Sequence, residues 1–420
     1  MKSLYLSLAF CIFITGTYAQ TQPTQPAGGP GGSDYTFGGV TQFDYGTNGN
    51  GQDFWLYEPN SPVPDSANVV VFIHGLGETN PKLYGAFIKH LVRKGNIVIY
   101  PRYQKDLNSD NTTFSDSCAK GIQRALDTLQ QPGHVKPRLN NFFVLGHSVG
   151  GILTANMSTR YAMYGLPKPL TAFSMQPGAN LPQILLGDYS GFEADIKYLV
   201  LVGNDDIIVG TQTGELLFNQ TTAVPTSHKN LIKHFADSHG SPALGATHFE
   251  PLAGDADFEN GESNLFILAS GTGPVDAFDY YGTWKLQDAL MDCALHNQNC
   301  DMAFGDTPEQ KSLGNWSDGT ALTPMQVTPS STNGVTEVSP NDLVNVFPNP
   351  FKEDKLQVMV DYTQEGATIM LYDVTGKTVE SKTLVAGLNT IGCNRAAGVY
   401  FYKVIDKKGQ LVVNGKLIAQ

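Results

Sequence analysis

Five predominantly apolar runs, separated by segments long enough to form helices, constrain the fold more than any other feature of the chain. The runs are VVVFI at 69–73, IVIY at 97–100, FFVL at 142–145, LTAFSM at 170–175 and YLVLV at 198–202. Strands that are apolar at nearly every position are typical of parallel sheets whose two faces are both covered. The alternation therefore predicts an α/β fold, with a mostly parallel sheet and helices on both faces.

The segments between these runs predict helices at about 80–94, 115–131 and 148–164. Gly165 and Pro167 follow the third segment and supply the left-handed cap and the stop that end a helix. Apolar residues at three-and-four spacing predict a further helix over about 275–296. This late helix is expected to pack on the sheet.

The chain has 420 residues, a formal net charge of −12 and a pI near 5.1. This charge disfavours nucleic acid or an anionic membrane surface as a partner, since both repel an acidic protein. Residues 1–19 combine Lys2, an apolar run over 4–14 and a small residue at Ala19, which is the order of a secretory signal peptide. We therefore expect an exported protein.

Composition divides the remaining chain into four parts. Residues 20–34 are rich in Gln, Pro and Gly and predict a flexible leader, and 35–320 form the expected α/β domain. Residues 321–340 are rich in Thr, Ser, Pro and Asn and predict a linker. Short apolar runs between glycines over 341–420 predict a small antiparallel β-sandwich.

An oxidising compartment permits disulfide bonds but does not require them. Cys293 and Cys300 are the plausible pair, because the short loop between them can bring their Cα atoms together. The alternative is two small buried apolar side chains. Cys118 and Cys393 lie in different expected domains and are left unpaired.

The motif GHSVG at residues 146–150 follows a strand-like run and precedes a helix-like segment. In this context G-x-S-x-G predicts a sharp turn that exposes the hydroxyl of Ser148 at the carboxyl edge of the sheet. Glycines on both sides let neighbouring backbone pass close to the serine. Ser148 is therefore the candidate nucleophile, although serine is also a common helix N-cap.

An acid and a histidine follow Ser148 in the order expected of such a site. The run 199–206 (LVLVGNDD) ends in Asp205 and Asp206, of which Asp206 is favoured as the acid that orients the base. His248 lies in a loop after the last strand-like run and is the candidate general base, with His239 as the alternative. The order serine, acid, histidine is that of α/β-hydrolases.

The turn HGLG at 74–77 follows the first apolar run and is the candidate source of oxyanion donors. The backbone N–H groups of Leu76 and Val149 are expected to form the oxyanion hole. His74 and His147 are expected to be scaffold or pocket-wall residues. The expected reaction needs no cofactor, and the sequence has no metal-ligand spacing typical of a zinc site.

The HGLG turn, the GHSVGG elbow, the GNDD strand end and the THFEP loop together resemble the α/β-hydrolase superfamily of serine esterases and lipases over roughly residues 50–300. Separately, VFPNPF at 346–351, LYDVTGK at 371–377 and GVYFYKV at 398–404 resemble the C-terminal sorting domain of the type IX (Por) secretion system. This second resemblance implies a partner in the outer-membrane secretion machinery, and release or attachment at the cell surface.

These observations predict a secreted carboxylic ester hydrolase that acts through an acyl-enzyme and takes a small-molecule, lipid or polymer ester as substrate. Polyester (cutinase-like) hydrolysis is an alternative, although Val149 stands where such enzymes usually carry Met, and their oxyanion turn lacks the HG-x-G form. The other alternative is a surface-binding protein whose hydrolase fold is catalytically silent.

Overall fold

A computed structural model of the chain describes residues 20–46, 52–179, 181–261, 273–329, 344–347, 351, 356–361, 364–392, 396–409 and 411–419. The predicted signal peptide lies outside the described residues. The described residues form two compact units, which are divided between residues 330 and 331.

The first unit is built on a nine-stranded sheet with the order β1-β2-β4-β3-β5-β6-β7-β8-β9. Its strands are β1 Gly39–Asp44, β2 Phe54–Asn60, β3 Ser66–Ile73, β4 Asn96–Pro101, β5 Lys136–His147, β6 Thr171–Met175, β7 Lys197–Gly203, β8 Lys229–His234 and β9 Gln326–Pro329. Strands β3 to β8 are parallel to one another, whereas β1, β2 and β9 pair antiparallel with their neighbours. The predicted mostly parallel sheet is confirmed.

The helices of this unit are α1 Gly85–Arg93, α2 Phe114–Thr128, α3 Val149–Arg160, α4 Gln212–Gln220, α5 Trp284–His296, α6 Cys300–Ala303 and α7 Pro308–Lys311. A short 3-10 turn at Pro81–Tyr84 precedes α1, and a π-helical turn at Asp279–Thr283 precedes α5. The four helices predicted from the sequence are therefore present, with ends that differ by a few residues.

Alternate residues of the central strands enter different hydrophobic cores, which explains why these strands are apolar throughout. In β3, Val70 and Phe72 join a core that includes residues of α1 and α5. Val69, Val71 and Ile73 join another core, which includes residues of α2 and α3. Because side chains alternate across a strand, helices cover both faces of the sheet.

Two sequence-based boundaries need correction. Residues 20–34 are not a free leader: the backbone amide of Ser317 donates to the carbonyl of Thr21 at 3.0 Å, and that of Gly31 donates to Asp288 at 2.8 Å. The segment has almost no apolar side chains, so its composition did not reveal the hydrogen bonds that hold it. Part of the expected linker is strand β9, which adds an antiparallel edge to β8.

The antiparallel strands β1 and β2 lie before the first predicted strand and were not predicted. Strand β2 is buried over 54–59. Its sequence is not a continuous apolar run, because Glu58 and Pro59 follow its four apolar residues. Cys293 and Cys300 form the disulfide that was the plausible pairing, with a Cα–Cα distance of 4.7 Å. Cys118 is buried as a free thiol.

The second unit contains two antiparallel sheets, β10-β11-β14 and β13-β12-β15-β16. Their strands are β10 Val344–Phe347, β11 Leu356–Val360, β12 Thr368–Tyr372, β13 Thr378–Thr383, β14 Gly387–Ile391, β15 Gly398–Ile405 and β16 Leu411–Ala419. Alternate residues of β11 and β12, among them Val358 and Ile369, enter one hydrophobic core. The antiparallel β structure is confirmed, and its arrangement as a sandwich stays a prediction.

Candidate active site

Ser148 lies at the turn from β5 into α3, with φ 56° and ψ −122°. A residue with a side chain rarely adopts a positive φ, and it does so where the surrounding structure holds it there. The amide of Ser148 donates to the carbonyl of Met175 on the adjacent strand at 3.0 Å. An added Cβ at Gly146 would lie 2.4 Å from the carbonyl oxygen of Gly150, so this sharp turn requires glycine. The structure thus has the geometry of a nucleophile elbow.

The three residues singled out as nucleophile, base and acid are brought together. The Oγ atom of Ser148 lies 3.0 Å from Nε2 of His248. Nδ1 of His248 lies 2.8 Å from Oδ2 of Asp206. All three residues are buried. With the proton of the neutral imidazole assigned to Nδ1, Asp206 accepts a hydrogen bond and Nε2 is free to accept the serine proton.

Asp206 is fixed by its own loop as well as by the histidine. Its Oδ1 accepts hydrogen bonds from the backbone amides of Ile208 and Val209, both at 2.9 Å. Burial acts to raise the pKa of Asp206, but the hydrogen bond and charge of His248 and the two amides together lower it. The carboxylate is therefore ionised at neutral pH and oriented towards the imidazole.

The pKa of His248 is lowered from its usual value, mainly because burial disfavours the charged ring. The hydrogen bond to Asp206 opposes this shift, and the nearby charge of His147 adds to it. A lowered pKa keeps the imidazole neutral near pH 7. That is the form a general base needs.

The backbone amides of Leu76 and Val149 face no hydrogen-bond acceptor within the part of the chain that the structure describes. Both residues line one cavity together with Ser148. The HGLG turn is held in place around Leu76, because the amide of Gly77 donates to Gln104 at 2.7 Å and that of Gly75 donates to Glu78 at 3.0 Å. Two unpaired donors from residues that line the same cavity as the serine are suited to stabilise an oxyanion.

The cavity has a volume of about 310 Å³, and its walls are mostly apolar. Around Ser148 and His248 it is lined by Leu76, Glu78, Val149, Gly178, Ala179, Leu181, Ile208, Val209 and Phe249. An apolar cavity with few convergent polar groups is typical of a small-molecule site.

The alternative acid, Asp205, and the alternative base, His239, interact with other residues. Asp205 accepts a hydrogen bond from the side chain of Asn204 at 3.1 Å. His239 is paired with Asp318 at 2.9 Å, and its side chain is 41% exposed. The structure therefore groups Asp206 and His248, not their rivals, with Ser148.

A second buried polar cluster, which the sequence did not reveal, adjoins the serine and histidine. It consists of Glu78, Tyr84 and His147; Nδ1 of His147 lies 2.8 Å from the Tyr84 hydroxyl and 3.3 Å from Oε2 of Glu78. Only the position of Glu78 directly after HGLG hinted at such a role. His74, the other expected scaffold histidine, is buried and stacks on Tyr103.

Within the described ranges, no group of three or more His, Cys, Asp or Glu side chains is placed to hold a metal ion. None of the helices in this part of the chain has the length together with the hydrophobicity that a membrane-spanning helix requires.

A mostly parallel sheet covered by helices, with a serine at a strand-to-helix elbow, defines the α/β-hydrolase class. Residues 60–236 match the family described as Chlorophyllase, and residues 345–420 match the secretion system C-terminal sorting domain. No curated protein matches the chain. Over these two regions the chain is therefore similar to the Chlorophyllase family, an α/β-hydrolase-like family of serine esterases, and to the type IX sorting domain, in agreement with the two resemblances. The sorting domain marks a protein exported to the cell surface or the extracellular space.

Proposed function

We propose that this protein is a secreted serine hydrolase that cleaves carboxylic esters through an acyl-enzyme intermediate. The observation that carries the proposal is the continuous hydrogen-bonded series from Ser148 through His248 to Asp206, with distances of 3.0 and 2.8 Å. The match to the Chlorophyllase family supports ester hydrolysis independently of this geometry.

In the proposed reaction, Oγ of Ser148 attacks the ester carbonyl carbon while Nε2 of His248 takes its proton. Asp206 holds the imidazole and stabilises the imidazolium that forms. Collapse of the tetrahedral intermediate breaks the bond to the alcohol, which receives the proton from His248. Water then attacks the acyl-serine with His248 again as base, and the acid product leaves with Ser148 regenerated.

The negative charge that develops on the carbonyl oxygen is stabilised by the amides of Leu76 and Val149. Loss of one such donor typically raises the barrier by about 3 kcal/mol. Neither amide needs to break a hydrogen bond within the described structure before it binds the oxyanion. The proposed hole is therefore preorganised.

The cavity walls support a substrate with an apolar group next to the ester. Leu181, Val209 and Phe249 offer hydrocarbon surface, and Glu78 is the one acidic residue among the lining residues. None of the described lining residues is a Lys or Arg, so a negatively charged substrate would have no cationic partner there. We therefore infer that the substrate is a neutral ester.

Hydrolysis of p-nitrophenyl esters from acetate to palmitate tests the proposal, with wild type and Ser148→Ala measured side by side. We expect turnover that depends on acyl length and a loss of at least about 10³-fold in the variant. Equal rates in the two proteins would mean that Ser148 is not the nucleophile.

Polyester hydrolysis is a second candidate, favoured by two exposed apolar side chains directly after Asp206. Ile207 is 93% exposed, and Ile208, which also lines the cavity, is 45% exposed. Exposed apolar side chains beside an open site are suited to contact an extended substrate surface. Release of soluble products from an aliphatic polyester film by wild type, but not by Ser148→Ala, would support it.

A further inference from the structure

The buried cluster of Glu78, Tyr84 and His147 touches both halves of the proposed catalytic site. On one side, Oε2 of Glu78 accepts a hydrogen bond from the amide of Gly75 in the HGLG turn at 3.0 Å. On the other side, Nε2 of His147 lies 2.8 Å from the backbone carbonyl oxygen of His248. The cluster therefore connects the turn that carries Leu76 to the loop that carries the base.

The hydrogen bonds within the cluster assign its protons. The Tyr84 hydroxyl donates to Oε2 of Glu78 and accepts from the amide of Gly75 at 3.2 Å. Nδ1 of His147 faces these same two oxygens, which act as acceptors, and Nε2 faces a carbonyl oxygen. Both ring nitrogens therefore face acceptor oxygens, and each donates when His147 is protonated.

The electrostatics agree with this assignment. Burial acts to raise the pKa of Glu78, but the charge and hydrogen bond of His147, with the Tyr84 hydroxyl, hold it below its usual value. Glu78 and His147 are both buried. A buried ion pair of this kind is tolerated where its remaining hydrogen bonds are satisfied, as they are for His147 here.

We propose that Glu78 and His147 act as a positioning pair, which fixes the backbone of His248 at a set distance from the oxyanion turn; this rests on the proposed function above. His147 also directly precedes Ser148 in the chain, so the contacts that fix His147 help to fix the nucleophile as well. One buried unit then orients the nucleophile, the base and the oxyanion donors together. A displacement of about 1 Å in such a site can lower the rate about 100-fold.

Protonated His147 has a second effect on the base. The ring centroids of His147 and His248 are 4.8 Å apart. The other charged groups that act on His248 are Asp206 and Glu78, which both raise its pKa, whereas His147 lowers it. Removal of the charge at position 147 therefore raises the pKa of His248.

Two matched substitutions of His147 in the full-length protein test the positioning role of Glu78 and His147, with p-nitrophenyl acetate as the substrate. The side-chain amide of Gln reaches about as far as Nε2 of histidine, whereas that of Asn reaches only as far as Nδ1. We expect His147→Asn to lower kcat at least about 10-fold with little change in KM, and His147→Gln to retain most of kcat. In both variants the acid limb of kcat/KM is expected to move to higher pH.

Val92→Ala is the control for a loss of stability alone. Val92 is fully buried in α1 and belongs to the same hydrophobic core as Tyr84. This variant is expected to unfold at lower temperature, with kcat and the acid limb of the native protein unchanged.

Two results would overturn the positioning pair. One is wild-type kcat and an unshifted acid limb in both His147 variants. The other is an equal fall of kcat in the Asn and Gln variants with an unshifted acid limb, which indicates a structural role only. Ser148→Ala measured in parallel separates the two proposals, since full turnover in that variant contradicts the serine mechanism itself. If His147→Asn does not fold, the pH of the acid limb in His147→Gln tests the proposal by itself, and an unshifted limb contradicts it.

Discussion

Gly150 lies so close to Ile73 that an added Cβ would be 2.0 Å from the carbonyl oxygen of Ile73. Ile73 is the last residue of β3, and His74 to Gly77 follow it as the HGLG turn. Gly150 is the second residue after Ser148, on the first turn of α3. The start of the helix is therefore pressed against the strand that leads to the proposed oxyanion donor.

This contact predicts that Gly150→Ala destabilises the fold of the hydrolase unit. Backbone atoms of β3 must move to admit the methyl group, and we expect a loss of about 3 kcal/mol in the free energy of unfolding. Gly191→Ala is the matched control, because its added Cβ would meet nothing closer than 3.5 Å. Denaturant unfolding of both variants measures the difference. Similar stability in the two variants would contradict the tight contact.

Much of the fold and of the proposed site could be predicted because each was encoded locally. The strands β3 to β7 are visible as apolar runs, since burial on both faces leaves few polar positions. Ser148, Asp206 and His248 each lie at or after the end of a strand, where a short motif can be read. The order of these residues along the chain added a constraint beyond each motif alone.

What the sequence did not show depends on contacts between distant segments. The hydrogen bond from Gly31 to Asp288 holds a Pro- and Gly-rich stretch whose composition indicates only flexibility. Strand β9 gains its role by pairing with β8, almost 100 residues earlier in the chain. The ion pair of Glu78 and His147 likewise joins a residue of the turn after β3 to the last residue of β5, so no local pattern marks it.

Substitution of the two neighbouring acids tests which of them orients the base. Asp206→Asn is expected to lower kcat about 10³- to 10⁴-fold, because an amide at this position favours the wrong tautomer of His248. Asp205→Asn is the control, and its kcat is expected to stay within about three-fold of wild type, since Asp205 makes no contact with the imidazole. Steady-state kinetics on p-nitrophenyl butyrate give both values. A larger loss in Asp205→Asn would reverse the assignment.

The lowered pKa of His248 predicts the pH dependence of catalysis. Protonation removes the general base, so kcat/KM is lost as pH falls through the pKa of this residue. Because that pKa lies below the usual value of about 6.5, activity is expected to be at its plateau at neutral pH, with the acid limb below pH 6.5. A pH–rate profile of an uncharged ester measures it. An acid limb centred above pH 7 would contradict the assigned environment.

The sorting domain predicts where the activity is found. Deletion of residues 341–420 is expected to abolish ester hydrolysis in the culture medium and at the cell surface of a host with type IX secretion, because the deletion removes the export signal. Ester hydrolysis in extracts of the same cells is the control for production of a folded enzyme. Unchanged extracellular activity after the deletion would count against this route of export.

Covalent labelling of the nucleophile decides whether the serine mechanism holds. The purified protein is incubated with a fluorophosphonate, and the modified peptide is identified by mass spectrometry while ester hydrolysis is followed in the same sample. We predict one phosphonyl group on Oγ of Ser148 and a loss of hydrolysis in proportion to labelling. Continued ester hydrolysis with Ser148 unmodified, or inactivation that accompanies labelling of a different residue, would contradict the mechanism.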